Sequence, residues 1–135
     1  MRLEATRRTD LATRALLELD RAAERRKAGE LALALDASAG FVAQAMTPLV
    51  DRGWVGSVPG PTGGYELTVP LHDLSVLDIV EAVEGRTDTG RCVLEDRPCS
   101  GGGHCALHEP WARARGQLLH ELAATPLSSV ASPDR

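Results

Sequence analysis

The sequence predicts a mainly α-helical fold with a small β-hairpin wing: a winged helix-turn-helix followed by a long C-terminal helix suited to dimerisation. Three observations predict it. Two helical segments are separated by the short break Asp36-Ala37-Ser38, two strand-like runs flank the tip Pro59-Gly60-Pro61-Thr62-Gly63-Gly64, and a further apolar helical stripe lies beyond His108. At 135 residues, 43% hydrophobic and 25% charged, the chain suits one globular unit with a dimerisation element.

Taken in order, Thr9-Asp10 can cap a first helix through LATRALLELDRAA, where Leu11, Ala15, Leu19 and Ala22 recur at helical spacing. A second helix fits Gly29 to Leu35. A third fits Ala39 to Arg52, with Phe41, Val42, Ala45, Leu49 and Val50 as its apolar members. Pro48 lies inside it and predicts a kink or a tightened turn, because proline removes a backbone donor and its ring crowds the preceding turn. Gly53 stops the helix. Trp54 to Val58 and Tyr65 to Thr68 then read as the two strands of the wing. Ser75 and Asp78 resemble a capping box ahead of a fourth helix containing Val76, Ile79, Val80 and Val83 and ending at Gly85. A longer helix covers Glu109 to Ala123, with Trp111, Ala114, Leu118, Leu119 and Leu122 on its apolar side. A short segment starts at Thr125-Pro126, and Ala131 to Arg135 reads as a loose tail. The organisation expected is residues 1–85 as the DNA-binding module, 86–108 as a cysteine-rich loop and 109–135 as dimerisation helix and tail.

All three cysteines, Cys92, Cys99 and Cys105, fall within fourteen residues, with His104 and His108 beside the last. An odd number argues against a disulfide framework, since bridges use thiols in pairs. The spacing C-x6-C-x5-C-x2-H, with Pro98 and Gly101-Gly102-Gly103 to fold the backbone, suits one inorganic centre. Thiolates are soft ligands for zinc, cuprous copper and iron-sulfur clusters alike. An iron-sulfur cluster, another metal, and plain thiols in a flexible loop all stand open on spacing alone.

The net charge of -4 hides an uneven distribution. Eight of the 15 Lys and Arg residues are Arg2, Arg7, Arg8, Arg14, Arg21, Arg25, Arg26 and Lys27, whereas Leu31 to Gly85 holds Arg52 alone. A locally basic face can bind nucleic acid despite an acidic total, because phosphate contacts are local; a solvated helix face is the plainer alternative. No apolar run approaches the roughly 18 to 20 residues that span a bilayer, and the opening MRLEATRRTD leads into an amphipathic pattern. A cytoplasmic location without membrane contact, where thiols stay reduced, is expected. Nothing points to an enzyme: there is no HExxH, no GxSxG, and Gly60 to Gly64 lacks the Lys-Ser/Thr ending of a phosphate loop.

Together, RRTDLATRALLEL, the RGWV strand entry, the GPTGGYEL wing, LSVLDIVEAVEG and the three-cysteine loop resemble the IscR/NsrR family of iron-sulfur winged-helix transcriptional repressors. GGYEL followed by LSVLDIVEAVEG is the most specific part. The resemblance implies a homodimer that binds double-stranded operator DNA under control of an iron-sulfur cluster sensing nitric oxide, redox conditions or cluster status. It also implies that Cys92, Cys99 and Cys105 ligate the cluster. Two residues compete for the fourth position. His108 matches the C-x2-H ending of the branch that carries [2Fe-2S]; Asp10 matches the T-D-L-A start of the branch in which a partner-subunit aspartate ligates [4Fe-4S]. Both cluster types therefore stand open.

The third helix offers Ser38, Gln44 and Thr47 as polar readers, with no Arg or Lys before Arg52, and the wing has Gly56, Pro59 and Pro61 where relatives place cations. Phosphate contacts would come from Arg2, Arg7, Arg8, Arg25, Arg26 and Lys27, with Thr62 helping, and Gln44 as the base reader. Weak, salt-sensitive binding is expected. The same shortage of cations supports an alternative: a metal- or thiol-based sensor that has lost operator binding and acts through a protein partner.

Overall fold

In a computed structural model, residues 3–95, 97–99 and 103–130 are described, so Arg2 and the tail Ala131 to Arg135 lie outside them. Helices α1 (Arg7–Ala22), α2 (Ala28–Leu35) and α3 (Ala39–Asp51) are followed by strands β1 (Val55–Val58) and β2 (Gly64–Leu67). A 3-10 turn (Leu71–Asp73), α4 (Val76–Glu84), α5 (His108–Ala124) and a second 3-10 turn (Leu127–Val130) complete the order. The mainly helical fold with a hairpin wing is the one the sequence predicts.

α1 starts two residues before the predicted Thr9-Asp10 cap. Thr6 is the cap, its hydroxyl accepting from the Thr9 amide at 3.2 Å. Thr9 is instead buried, 3% exposed, and its hydroxyl donates to the Glu84 carboxylate at the end of α4. Both threonines carry a hydroxyl, but only Thr6 has the extended backbone a cap needs. Leu11, Ala12, Ala15, Leu16 and Leu19 face the core, and Ala22 is half-buried.

α2 and α3 meet at 108°, the crossing of a helix-turn-helix. Asp36 makes the turn in the left-handed region, and Ser38 caps α3 by accepting from the Phe41 amide at 3.1 Å. α3 stays helical through Pro48 and ends at Asp51. The Thr47 hydroxyl donates to the Ala43 carbonyl at 3.1 Å on the turn that proline leaves short of a donor. Gly53, at φ 76°, closes α3: its amide donates to the Val50 carbonyl at 2.9 Å, and the Trp54 amide to Leu49 at 3.1 Å.

β1 and β2 pair antiparallel with Val55 opposite Leu67 and Val58 opposite Gly64. The two glycines of GGYEL have separate reasons. A Cβ on Gly63 would lie 1.9 Å from the Val58 carbonyl oxygen, and one on Gly64 2.6 Å from that of Arg26. The second approach exists because Arg26 and Tyr65 exchange backbone hydrogen bonds at 2.8 and 2.7 Å, so the α1–α2 connection lies along the wing as a one-residue third strand.

Leu31 and Leu35 from α2, Val42, Ala45, Met46 and Leu49 from α3, Val55, Leu71, Leu74 and Ile79 join the α1 residues in one core. Burying a Leu or Ile contributes about 1.5–3 kcal/mol each, which makes this cluster the main stabilising element of the chain. The Ser75–Asp78 capping box forms as predicted, with the Asp78 amide 3.1 Å from the Ser75 hydroxyl and the Ser75 amide 2.8 Å from the Asp78 carboxylate. The segment after α5 returns to this core. Leu127 is fully buried, its amide donating to the Leu74 carbonyl at 2.7 Å, while the Val76 amide donates to Thr125 at 2.9 Å.

α5 differs. It packs along α4 yet has no buried residue. Trp111, Leu119 and Leu122 of the predicted stripe are half-buried, whereas Ala114 and Leu118 are exposed, Leu118 by 41%.

Candidate functional site

The segment between α4 and α5 is tied to both helices. At its start the Thr87 amide donates to the Glu81 carboxylate at 2.9 Å, and Asp88 pairs with Arg115 of α5 at 3.5 Å. The Cys92 amide then donates to the Arg97 carbonyl at 2.8 Å, with Arg91 bridged to Pro98, which folds the loop back so that Cys92 and Cys99 converge. Cys105 arrives just before α5, and its amide donates to the Cys99 sulfur at 3.2 Å.

The three sulfurs lie within 4.8 Å of one another, each residue half-buried. The Cys92 and Cys105 Sγ atoms are 3.7 Å apart. Two thiolates on one tetrahedral metal with bonds of about 2.3 Å sit at about this separation. The Leu94 amide donates to Cys92 Sγ at 3.4 Å and, with the Glu95 amide and the neighbouring thiols, holds that thiol below its ordinary pKa. At Cys99 the Cys105 amide acts in the same direction, but burial and the adjacent thiols outweigh it and push the thiol up. Crowded sulfurs resist ionising together, and a bound cation relieves that repulsion. The donor set therefore fits a metal ion or an iron-sulfur cluster.

His108 lines the same cavity of about 270 Å³, with Trp111 and Arg115 on its α5 wall. Asp10 does not join it within one chain: it is exposed, pairs with Arg14 at 3.7 Å and lines a different depression with Thr6, Leu35 and Phe41. His104, which matches no ligand position of the resembled family, stacks on His108 with ring centres 3.6 Å apart and planes 11° from parallel.

On the helix-turn-helix, Ser38, Gln44 and Thr47 are exposed, and Gly40, Gln44, Thr47 and Asp51 share one outward side of α3. Arg7 and Arg8 are exposed at the start of α1, Lys27 at the start of α2 and Thr62 at the wing tip. Arg25 and Arg26 are already engaged. Arg25 reaches Glu66 and the Thr62 carbonyl, both at 3.4 Å, and Arg26 pairs with Glu24 and Glu30, each at 3.2 Å. Among the described residues, no single helix is long and apolar enough to cross a membrane.

A helix-turn-helix at 108°, a paired wing and a thiol-lined loop on the flanking helix define the class: a winged-helix transcriptional regulator, not an enzyme. The chain belongs to the Rrf2 family, described as iron-dependent transcriptional regulators, which it matches over residues 5–133. It is 41% identical over 126 residues to YffB of Lactococcus lactis, classed as an HTH-type transcriptional regulator, covering 86% of this chain and 79% of that protein. It is 32% identical over 74 residues to the HTH-type transcriptional regulator IscR of Vibrio campbellii, covering 55% of this chain but only 44% of that protein. Among solved structures, CymR, the global cysteine regulator of Bacillus subtilis, superposes with a TM-score of 0.76 at 23% identity, over 96% of this chain and 97% of that one. At that identity the likeness concerns the fold.

Proposed function

We propose that the chain is a homodimeric repressor whose binding to operator DNA is controlled by an iron-sulfur cluster on Cys92, Cys99 and Cys105, responsive to nitric oxide, redox or iron-sulfur status. The observation that carries this reading is the convergence of three half-buried sulfurs within 4.8 Å on a loop fastened to both α4 and α5. His108, on the same cavity, is the fourth ligand we favour, which suits [2Fe-2S]; Asp10 of a second copy with [4Fe-4S] is the rival. When bound, the cluster supplies iron that reacts with oxygen or nitric oxide, the more readily for one ligand that is not a thiolate.

The protein's own part is mechanical. Cys105 and His108 sit at the N-terminal end of α5, so fixing their side chains fixes the first turn of that helix. The exposed Leu118 and Ala114 offer α5 an apolar strip for a second copy, in keeping with the symmetric dimers usual among palindrome-reading regulators. Half-sites lie about 34 Å apart, so a small rotation between the paired units costs register. Gln44 is the proposed base reader, with Ser38, Thr47 and Thr62 beside it. Arg2, Arg7, Arg8 and Lys27 contact phosphate, joined by Arg25 and Arg26 when DNA displaces their carboxylate partners.

The test is protein purified without oxygen, examined by absorption and by iron and sulfide assay. Visible bands with equal iron and sulfide are expected, lost in Cys99→Ser. Colourless, iron-free protein that resists reconstitution overturns the reading. Comparing His108→Ala with Asp10→Ala assigns the fourth ligand. A second reading, a sensor acting through a protein partner, is favoured by the cation-free outward side of α3 and the internal pairing of Arg25 and Arg26. Operator fragments selected from random sequence that bind with a steep salt dependence exclude it.

A further inference from the structure

His104 and His108 are not used alike by the cluster reading, yet together with Cys99 they form a second convergent donor set: one ligand atom from each lies within 4.8 Å of the others. His104 Nδ1 is 3.2 Å from the Cys99 carbonyl oxygen. A neutral imidazole placed so donates its Nδ1 hydrogen to the carbonyl, which leaves Nε2 with a lone pair for a metal. This is the arrangement in which a backbone carbonyl commonly orients a ligating histidine. Cys92 Sγ, within 4.8 Å of Cys99 Sγ, completes a mixed set of two sulfurs and two nitrogens. Read this way the loop is C-x6-C-x4-H-x3-H, and its histidine spacing falls within the H-x3–5-H range of tetrahedral zinc sites.

We propose that the loop, when it holds no cluster, binds a single tetrahedral divalent metal ion of the zinc type through Cys92, Cys99, His104 and His108. The two states exclude each other because Cys92 and Cys99 serve both. Cys105 is left out of the mononuclear site, and His104 out of the cluster. Binding the ion displaces the thiol protons of Cys92 and Cys99 to solvent, with no change of oxidation state. To reach one tetrahedral centre the half-buried His108 ring turns about its side-chain bonds, while His104 keeps its bond to the Cys99 carbonyl. The proposal does not depend on the cluster reading.

The experiment titrates the full-length, cluster-free chain with Co2+ under anaerobic conditions, followed by competition with Zn2+. Wild type is expected to bind one ion with the visible bands of tetrahedral cobalt and thiolate-to-cobalt charge transfer, both removed by zinc. His104→Ala is expected to bind Co2+ at least about 10-fold more weakly, the lower end of what loss of even an outer-shell partner produces, while still assembling a cluster. Cys105→Ser is expected to do the reverse, keeping the cobalt spectrum and losing the cluster. Circular dichroism on both variants checks that the winged-helix core is folded. Wild-type cobalt affinity and spectrum in His104→Ala overturn the proposal, as does loss of the cobalt site in Cys105→Ser. Wild type that binds cobalt as described but assembles no cluster upholds the proposal and removes the cluster reading instead.

Discussion

The winged-helix module and the loop with α5 are built on opposite terms. In the module, α1, α3 and the second 3-10 turn each place fully buried leucines in one core, and the turns and caps are satisfied within the chain. Among the described residues, the loop and α5 place none in that core: the three cysteines are half-buried and Leu107 and Leu118 are exposed. A region with few buried apolar contacts is where local opening is cheapest. The module's core is closed by Leu127 from beyond α5, while the loop and α5 offer thiols, imidazoles and the exposed Leu118 at the surface.

The sharpest way to break the comparison is a cavity in the module. Leu49→Ala, at a fully buried site of α3, is expected to cost about 2–5 kcal/mol in denaturant unfolding. A loss below 1 kcal/mol, on the order of a surface change, contradicts the account of the core. Next comes Gly63→Ala. Its Cβ would meet the Val58 carbonyl, so the wing must shift at a cost of about 1–3 kcal/mol, with weakened operator binding as the second readout. Ser75→Ala removes the α4 cap and is expected to cost about 1 kcal/mol. Leu118→Asp tests the other region: unfolding of the module should move by no more than about 0.5 kcal/mol, while sedimentation shows a shift from dimer to monomer. The smallest effect concerns pH. The hydrogen bond from Arg21 holds the Glu18 carboxyl below its ordinary 4.5, so this pair adds stability above that pH and loses it as pH falls through the lowered value. Glu18→Gln should therefore flatten the acid limb of the stability curve slightly.

Legibility in the sequence followed the same division. The module could be read because its signals are local: apolar residues at helical spacing in α1 and α3, Ser75 and Asp78 three apart, and two glycines at a hairpin. Where tertiary contacts decide, the reading failed. Thr6 and Thr9 both offer hydroxyls, and that of Thr9 also bonds to Glu84, 75 residues on, a tertiary contact with no local signal. Leu127 follows a proline in a segment too short for periodicity, yet it fills the core beside Leu74. At the candidate site the cysteines announced themselves by number and spacing. The stacking of His104 on His108 did not, since it depends on how the loop enters α5.

The backbone exchange between Arg26 and Tyr65 has one more consequence. It fastens the wing to the α1–α2 connection, while α3 leads directly into β1, so wing and reading helix are held from both sides like the fixed jaws of a gauge. The expectation is that wing and α3 move as one body. On the dimeric reading proposed above, a change in DNA affinity set from the loop would be felt as the spacing between two such units, and operators should discriminate by the distance between half-sites more sharply than by the sequence within either.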